Sequence, residues 1–506
     1  MKILPVQLIR EADAYTIKNE PIDDIDLMER AASACFHWLE KKTERNQKIS
    51  VFCGSGNNGG DGLAIARMLV QAEFKVEVCL LSGPEKMTSS CHINYVRMQE
   101  CRNVEINIIN KTEDLPPIGS NDLVIDAIFG SGLTRAADGF PAYAINHINQ
   151  SGARVVSVDV PSGLFCDTTS RAEQKPVVIR ADYTLTFSPP KLAFFFPEND
   201  IFVGDWQLLD IGISQDFIDT AIVQNFMTDR AGMMHILKKR NKYAHKGNFG
   251  HALLICGSLG KTGAAVLSAR ACLHSGAGLV TVHIPASASG ILQTAFPEAM
   301  CSIDPDDHQF SAVPALTAYS SIAVGPGIGT SPKTANALKI LIQNANRPIV
   351  FDADAINILA ENKTWLGFIP KGSIFTPHPK EFERLAGKYS DEFERNQAQR
   401  EFSFRYQCFL VLKGAHSAIT TPDGLCFFNP TGNPGMATGG SGDVLTGIIA
   451  GLMAQGYSSL ESCLLGVYLH GLSGDIALSA LGYEALIASD IISNLGKSFQ
   501  TLYGKF

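Results

Sequence analysis

At 506 residues the chain is too long for one hydrophobic core, because single cores stop growing near ~250–300 residues, and two domains are expected. Hydrophobic residues make up 45% and charged residues 18%, with 45 glycines; this excludes a disordered chain and, without a strict repeat, a collagen or a coiled coil. The net charge is −8 and no basic run exceeds Lys238-Lys239-Arg240, so nucleic acid is a poor partner.

The first helical pattern covers 24–39, where Leu27, Met28, Ala31, Cys35 and Leu39 recur at three- and four-residue spacing. Short β-branched or aromatic runs follow at 49–53, 75–81, 123–128, 154–159 and 183–187, with helical stretches such as 63–72 between several of them. Such alternation predicts βαβ crossovers and a mostly parallel sheet covered on both faces. Residues 214–246 hold polar punctuation and helix-like pieces without a strong strand, and are expected to join domains at 1–220 and 225–506. A second strand series lies at 250–256, 279–284, 322–324, 348–352, 373–376 and 408–412, separated by helical stretches such as 262–275 and 443–454. Charge divides the same way. Residues 1–220 carry 20 Lys/Arg against 30 Asp/Glu, and 221–506 carry 22 against 20.

The 12 cysteines show no C-x-x-C spacing, and Cys53, Cys79, Cys256 and Cys408 sit inside apolar runs, which reads as buried thiols in a reducing compartment. Apolar stretches fall short of the ~18 residues of a membrane span, so a soluble, cytoplasmic protein without a membrane partner is expected. The apolar content leaves room for subunit contacts in a homo-oligomer.

Gly-Ser-Gly-Asn-Asn-Gly-Gly-Asp-Gly, residues 54–62, follows an apolar strand and precedes a helix, at the sheet edge where α/β proteins bind ligands. Glycines there permit positive φ and close backbone approach, and the helix start favours an anion. Asn57, Asn58 and Asp61 add hydrogen-bonding and oxygen-ligand capacity that a plain turn does not need. Asp126 and Asp159 each close an apolar strand, followed by Gly130-Ser-Gly132 and Pro161-Ser-Gly163. One such carboxylate is an ordinary turn cap; three such strand ends favour a pocket. Asn58, Asp126 and Ser162 are oxygen donors, suited to a hard cation rather than zinc.

Asn-Asn-Gly-Gly-Asp, the Asp126/Gly-Ser-Gly-Leu segment and Asp-x-Pro-Ser-Gly together resemble the NAD(P)H-hydrate epimerase family, of Rossmann-like three-layer fold. The resemblance implies K⁺ held by Asn58, Asp126 and Ser162. It further implies substrate contacts from Asn57, Asn58, Gly59, Gly60 and Asp61, and from Gly130, Ser131, Gly132, Leu133, Thr134, Arg135 and Ala136, with Asp159 beside the reacting carbon.

Gly435-Met-Ala-Thr-Gly-Gly-Ser-Gly-Asp443 precedes an apolar helical run. Gly439, Gly440 and Gly442 at a helix start can surround a phosphoryl group with amides, and Asp443 in the first turn can take a hydroxyl proton, which is what phosphoryl transfer to an alcohol needs. No Walker sequence is present, so a P-loop enzyme is not supported. Gly325-Pro-Gly-Ile-Gly329, Thr376-Pro-His-Pro-Lys-Glu381 and Lys413-Gly-Ala-His-Ser417 lie where strands end. With the Gly-Gly-Ser-Gly-Asp site they resemble the NAD(P)H-hydrate dehydratase family, of ribokinase-like α/β fold.

That resemblance implies hydrate contacts from Ala264, Gly327, His378 and Asp443, and adenine-nucleotide contacts from Lys413, Gly414, Ala415, His416, Ser417 and Gly442. It also implies Mg²⁺, ADP as the co-substrate that activates the hydroxyl, and NADHX and NADPHX as substrates. Asp159 and Asp443 are the expected catalytic residues. Two other readings stay open: a ribokinase-like kinase of the hydroxymethylpyrimidine kinase type fused to a ligand-binding domain, and a nucleotide sensor without catalysis.

Overall fold

The computed structural model describes residues 1–102, 104–170 and 176–504. It falls into two compact units, one built mainly from Lys2–Val223 and the other from Gln224–Ser390 and Glu394–Phe506. Each is an α/β layer structure with its own core.

In the N-terminal unit the strands are β1 (Lys48–Cys53), β2 (Lys75–Leu80), β3 (Glu105–Ile108), β4 (Leu123–Ala127), β5 (Arg154–Val158), β6 (Tyr183–Phe187) and β7 (Asp205–Leu209). They form one sheet of order β3-β2-β1-β4-β5-β6-β7, and every pair is parallel. The main helices are α1 (Val6–Asn19), α2 (Asp24–Lys42), α3 (Asn57–Gln71), α4 (Ser89–Gln99) and α5 (Gly139–Gln150). Val51 and Phe52 show why β1 reads as a continuous apolar run: Val51 packs into the cluster under α2 and α3, and Phe52 into the opposite cluster with Ile145 and Ile148 of α5. The chain winds outward from β1 through β3, then restarts at β4 on the other side. The carboxyl ends of β1 and β4 therefore flank a switch point, the usual place of a ligand crevice.

The C-terminal unit has β8 (Asn225–Met227), β9 (His251–Ile255), β10 (Leu279–Pro285), β11 (Met300–Asp304), β12 (Ser321–Val324), β13 (Ile349–Phe351), β14 (Ile374–Phe375), β15 (Phe409–Leu412), β16 (Ala418–Thr420) and β17 (Cys426–Phe428). Their order is β8-β17-β16-β15-β14-β13-β12-β9-β10-β11, parallel from β15 to β11, with β16 and β17 added antiparallel. The switch point here lies between β9 and β12. The helices that matter are α6 (Thr262–His274), α7 (Ala353–Glu361), α8 (Pro379–Ala386), α9 (Ser441–Ala454), α10 (Ser459–Leu481) and α11 (Ala488–Leu502).

Two expectations need correction. The stretch 214–246 does contain a strand, β8, and it pairs with β17 in the C-terminal sheet; its Asn-Phe-Met sequence has no β-branched residue to mark it as a strand. An apolar helix of membrane-span length also exists: α10 has 23 residues and a mean hydropathy of 1.3. Over half of it is buried, with Cys463, Leu465 and Leu469 in the core and Ser473 Oγ paired with Ser498 Oγ of α11 at 2.8 Å. It is a core helix of this unit.

Candidate active sites

The segment after β1 enters α3 directly at Asn57, so Asn57 to Asp61 form the first turn of the helix rather than a loop before it. The glycines serve approach, not handedness: none from 54 to 62 has a positive φ. A Cβ on Gly54 would stand 2.0 Å from the Ile128 carbonyl oxygen, and one on Gly59 would stand 1.9 Å from that of Gly54. The first contact presses the β1–α3 turn against the end of β4, and the second packs the start of α3 onto that turn. Because backbone atoms block the space, Gly54→Ala is expected to destabilise the N-terminal unit by about 3 kcal/mol, roughly 8 °C in Tm by calorimetry.

A cavity of about 450 Å³ opens at this switch point, lined among others by Asn57, Asn58, Asp61, Gly130 to Leu133 and Asp159. Thr134, Arg135 and Ala136 continue the loop but do not line it. Gly130 brings the two sides together, since its Cβ position lies 3.3 Å from Asn58 Cβ and 3.4 Å from Asp159 Oδ2. Asp126 and Ser162 are fully buried. Ser162 donates to Asp126 from its amide at 2.9 Å and from Oγ at 2.5 Å, and Ser157 Oγ donates at 2.8 Å. Burial pushes the Asp126 carboxyl up, and these hydrogen bonds oppose it. Asn58 is different: both side-chain amide atoms are buried without a hydrogen-bond partner.

Asp159 adopts φ +64°, a left-handed conformation costly for a non-glycine residue. Its carboxylate is fixed from two sides. Lys191 Nζ, 2% exposed, lies 2.6 Å from Oδ1, and the Ser131 amide donates to Oδ2 at 3.1 Å. Lys191 also donates to the Phe187 carbonyl at the end of β6. Asp13 of α1 lines the same cavity, and burial, then the charge of Asp159, push its carboxyl up to about 6. Asp61 is pushed well up by burial and by Asp159. Lys191 and Asp13 escaped the sequence analysis: Lys191 follows a Ser-Pro-Pro loop without a motif, and Asp13 stands on a helix remote in sequence.

In the C-terminal unit Asp443 stands in the first turn of α9, behind Gly440 at φ +89°. A Cβ there would meet Leu267 Cδ1 of α6 at 2.5 Å, so glycine both turns the chain and lets α6 close on α9. Ser268 Oγ of α6 donates to the Asp443 carbonyl at 3.0 Å. Burial and then the nearby Asp352 push the Asp443 carboxyl up to about 7, with Lys413 pulling the other way.

Lys413, at the end of β15, places Nζ 2.9 Å from Asp352 Oδ1 and 3.3 Å from the Cβ position of Gly442. Burial works against its charge, but Asp352 and Glu381 outweigh it and the ammonium is held above its ordinary range. Thr446 Oγ1 of α9 donates to Asp352 Oδ2 at 2.7 Å. Asp352 and Thr446 are thus part of the site though neither was singled out. Asp352 carried the same signal as Asp126 and Asp159, a carboxylate closing an apolar strand.

Of the other expected residues, Ala264 and Gly327 are neighbours: the Cβ position of Gly327 lies 3.1 Å from Ala264 Cβ. His378 caps α8, its Nδ1 accepting from the Lys380 and Glu381 amides at 3.1 and 3.4 Å. Burial lowers its pKa, in keeping with a neutral ring that carries its proton on Nε2. Gly414 to Ser417 form a turn between β15 and β16, closed by Ser417 Oγ on the Gly414 amide and carbonyl. Ala415 and His416 complete that turn.

Comparison with known proteins covers both units. The profile of the NAD(P)H-hydrate dehydratase family matches residues 252–497, and that of the YjeF-related protein N-terminus matches 24–193. The bifunctional NAD(P)H-hydrate repair enzyme of Moorella thermoacetica is 37% identical over 94% of this chain and 92% of its own length. That of Coxiella burnetii is 34% identical over 96% and 97%. A crystal structure of the ADP/ATP-dependent NAD(P)H-hydrate dehydratase from Bacillus subtilis, co-crystallised with ATP and Mg²⁺, aligns with a TM-score of 0.48 and 28% identity over 56% of this chain and 100% of that one. The chain belongs to the family of bifunctional NAD(P)H-hydrate repair enzymes.

Proposed function

We propose that residues 1–220 epimerise the R and S forms of NADHX and NADPHX and that residues 225–506 dehydrate the S form to NADH or NADPH, using ADP and releasing AMP and phosphate. The observation that carries this is the presence, in one family member, of two separate candidate sites, each with a positioned carboxylate: Asp159 held by Lys191, and Asp443 at a glycine-rich helix start. Reduced cofactors reside in the cytoplasm, so a cytoplasmic place and partnership with small molecules rather than nucleic acid or membrane follow from this reading.

In the first site Asp159 accepts the proton of the C6 hydroxyl as the C6–N1 bond breaks, leaving an aldehyde at C6 while N1 takes up a proton, and re-addition of that nitrogen to either face of the aldehyde recloses the ring in either configuration. Lys191 and the Ser131 amide orient Asp159. Asp13 supplies a second, readily protonated carboxyl. K⁺ fits the residues present: Asn58 offers a buried carbonyl oxygen without a partner, and the Asp126 carboxylate brings negative charge with its oxygens engaged by Ser157 and Ser162. When bound, it would add positive charge next to the substrate's diphosphate. Asn58→Ala is expected to remove any difference between K⁺ and Na⁺ in thermal stability and in epimerisation rate; a retained difference places the ion elsewhere.

In the second site Asp443 takes the proton of the C6 hydroxyl as its oxygen attacks the terminal phosphoryl of ADP. AMP leaves, the C6–O bond breaks with the electron pair going to phosphate, and the ring nitrogen supplies the electrons. Loss of a C5 proton then restores the dihydronicotinamide. The amides of Gly439 to Gly442 face the phosphoryl charge, and Lys413 keeps Asp352 from repelling it. Among the described residues no group of three His, Cys, Asp or Glu forms a metal cage, so Mg²⁺ fits as an ion carried by the nucleotide, where it would neutralise phosphate charge. The deciding assay for the whole reading is conversion of a mixed-epimer hydrate pool to reduced cofactor.

A further inference from the structure

A second cavity, of about 570 Å³, lies in the C-terminal unit at the opposite edge of the sheet from Asp443. Its walls come from residues ahead of β9, from the 274–276 turn before β10, from residues 455–457 after α9, and from the end of α11. It lies beside the amino ends of β9 and β10. The 14 residues of α9 separate it from Asp443 by about 20 Å.

Lys238, Lys239 and Arg240 line this cavity, and no Asp or Glu does among the described residues. Two of the cations answer helix ends. Lys238 Nζ donates to the Gly456 carbonyl and Arg240 Nη2 to the Gly276 carbonyl, each at 2.6 Å, where α9 and α6 finish. Each helix end amounts to about half a negative charge, so three cations leave an excess of roughly two. Lys239 takes no part in that compensation, and among the described residues it makes no hydrogen bond or ion pair.

The aromatic side chains fall into two sets. Tyr457 and Phe249 lie beneath Lys238 and Arg240, with cation-to-centroid distances of 4.4 and 4.0 Å, and hold those side chains in place. Tyr243 is 92% exposed, so its ring on the rim covers no core, and Tyr503 beside the same cavity is 46% exposed. The volume falls in the range of small-molecule pockets. Uncompensated positive charge beside an uncovered aromatic face matches one ligand chemistry: a phosphate attached to a planar ring.

We infer that this cavity is a nucleotide-binding site separate from both candidate active sites, with the phosphate at Lys239 and Arg240 and the base on Tyr243. The inference does not depend on the reaction proposed above. Its test is isothermal titration of the full chain with AMP, alongside a Lys239→Glu/Tyr243→Ser variant that alters only exposed side chains. The variant is expected to lose one AMP site per chain, or to bind there about tenfold more weakly, while its dehydration rate stays unchanged. Inorganic phosphate and ribose 5-phosphate are expected to bind the wild-type cavity more weakly than AMP. Equal AMP binding by both proteins overturns the inference. Phosphate binding as tight as AMP binding removes the role of the ring and also overturns it. A variant that changes molar mass by light scattering with AMP binding intact makes the face a contact between copies, which is the third contrary result.

Discussion

Asp443→Asn is expected to remove nucleotide-dependent dehydration, by about 10³-fold or more in kcat, and to leave epimerisation at the wild-type rate. The size follows from the role: asparagine keeps the shape of the α9 start but cannot accept the hydroxyl proton. The proposed role also makes Asp443 the group expected to set the pH profile. With its carboxyl pushed up to about 7, the ionised form is scarce in acid, so the rate of dehydration is expected to rise with pH and level off above about 7. The stability effect runs the other way. A carboxyl pushed up in the folded protein binds more protons there than in the unfolded chain, so its contribution is full at acid pH and is lost as pH rises through about 7. Asp443→Asn is therefore expected to be at least as stable as wild type above that pH by thermal unfolding. Loss of activity with unchanged Tm separates lost chemistry from lost fold. Loss of both activities contradicts a chain with two independent sites.

Lys191→Met is expected to destabilise the N-terminal unit by about 3–5 kcal/mol and to suppress epimerisation, because it leaves Asp159 buried without its counter-charge at a strained backbone position. Asp159→Asn leaves the buried Lys191 ammonium without its carboxylate, so it too is expected to destabilise the unit, less than Lys191→Met because the asparagine Oδ1 and the Phe187 carbonyl still accept from Lys191, and to be just as damaging to epimerisation. The double variant Asp159→Asn/Lys191→Met should recover part of the stability of Lys191→Met, since removing both charges takes away the uncompensated one. Thermal unfolding together with exchange between the R and S hydrates measures both effects. An Asp159→Asn protein that exchanges epimers at the wild-type rate contradicts the role given to that residue.

Much of this architecture was legible in the sequence because parallel strands buried on both faces read as apolar runs, as 49–53 and 123–128 do. Strands β3 and β11 were missed since they stand at sheet edges, half exposed, with polar residues such as Asn107 and Ser302 interrupting the run. Strands β8, β16 and β17, Asn-Phe-Met, Ala-Ile-Thr and Cys-Phe-Phe, are no shorter than β13 but lack its Ile-Val-Phe run of β-branched and aromatic residues closed by a carboxylate.

The sites divide by the same logic. Asp126, Asp159 and Asp443 were found because carboxylates at strand or helix ends stand beside glycine. Lys191 was not, because its partner 32 positions away is chosen by the fold and not by any local pattern. Of the two reasons for glycine at 54–62, close backbone approach holds, at Gly54 against the Ile128 carbonyl and at Gly59 against that of Gly54, and positive φ does not.

One chain carries both halves of a repair route, and purified protein given an equal mixture of R and S NADHX, K⁺, Mg²⁺ and ADP, followed by the absorbance of reduced nicotinamide, tests this most directly. Conversion of the whole pool to NADH, with AMP and phosphate released in equal amounts, is the result predicted. Conversion that stops once the S form is consumed contradicts the epimerase assignment, and absence of NADH contradicts the account at its second site.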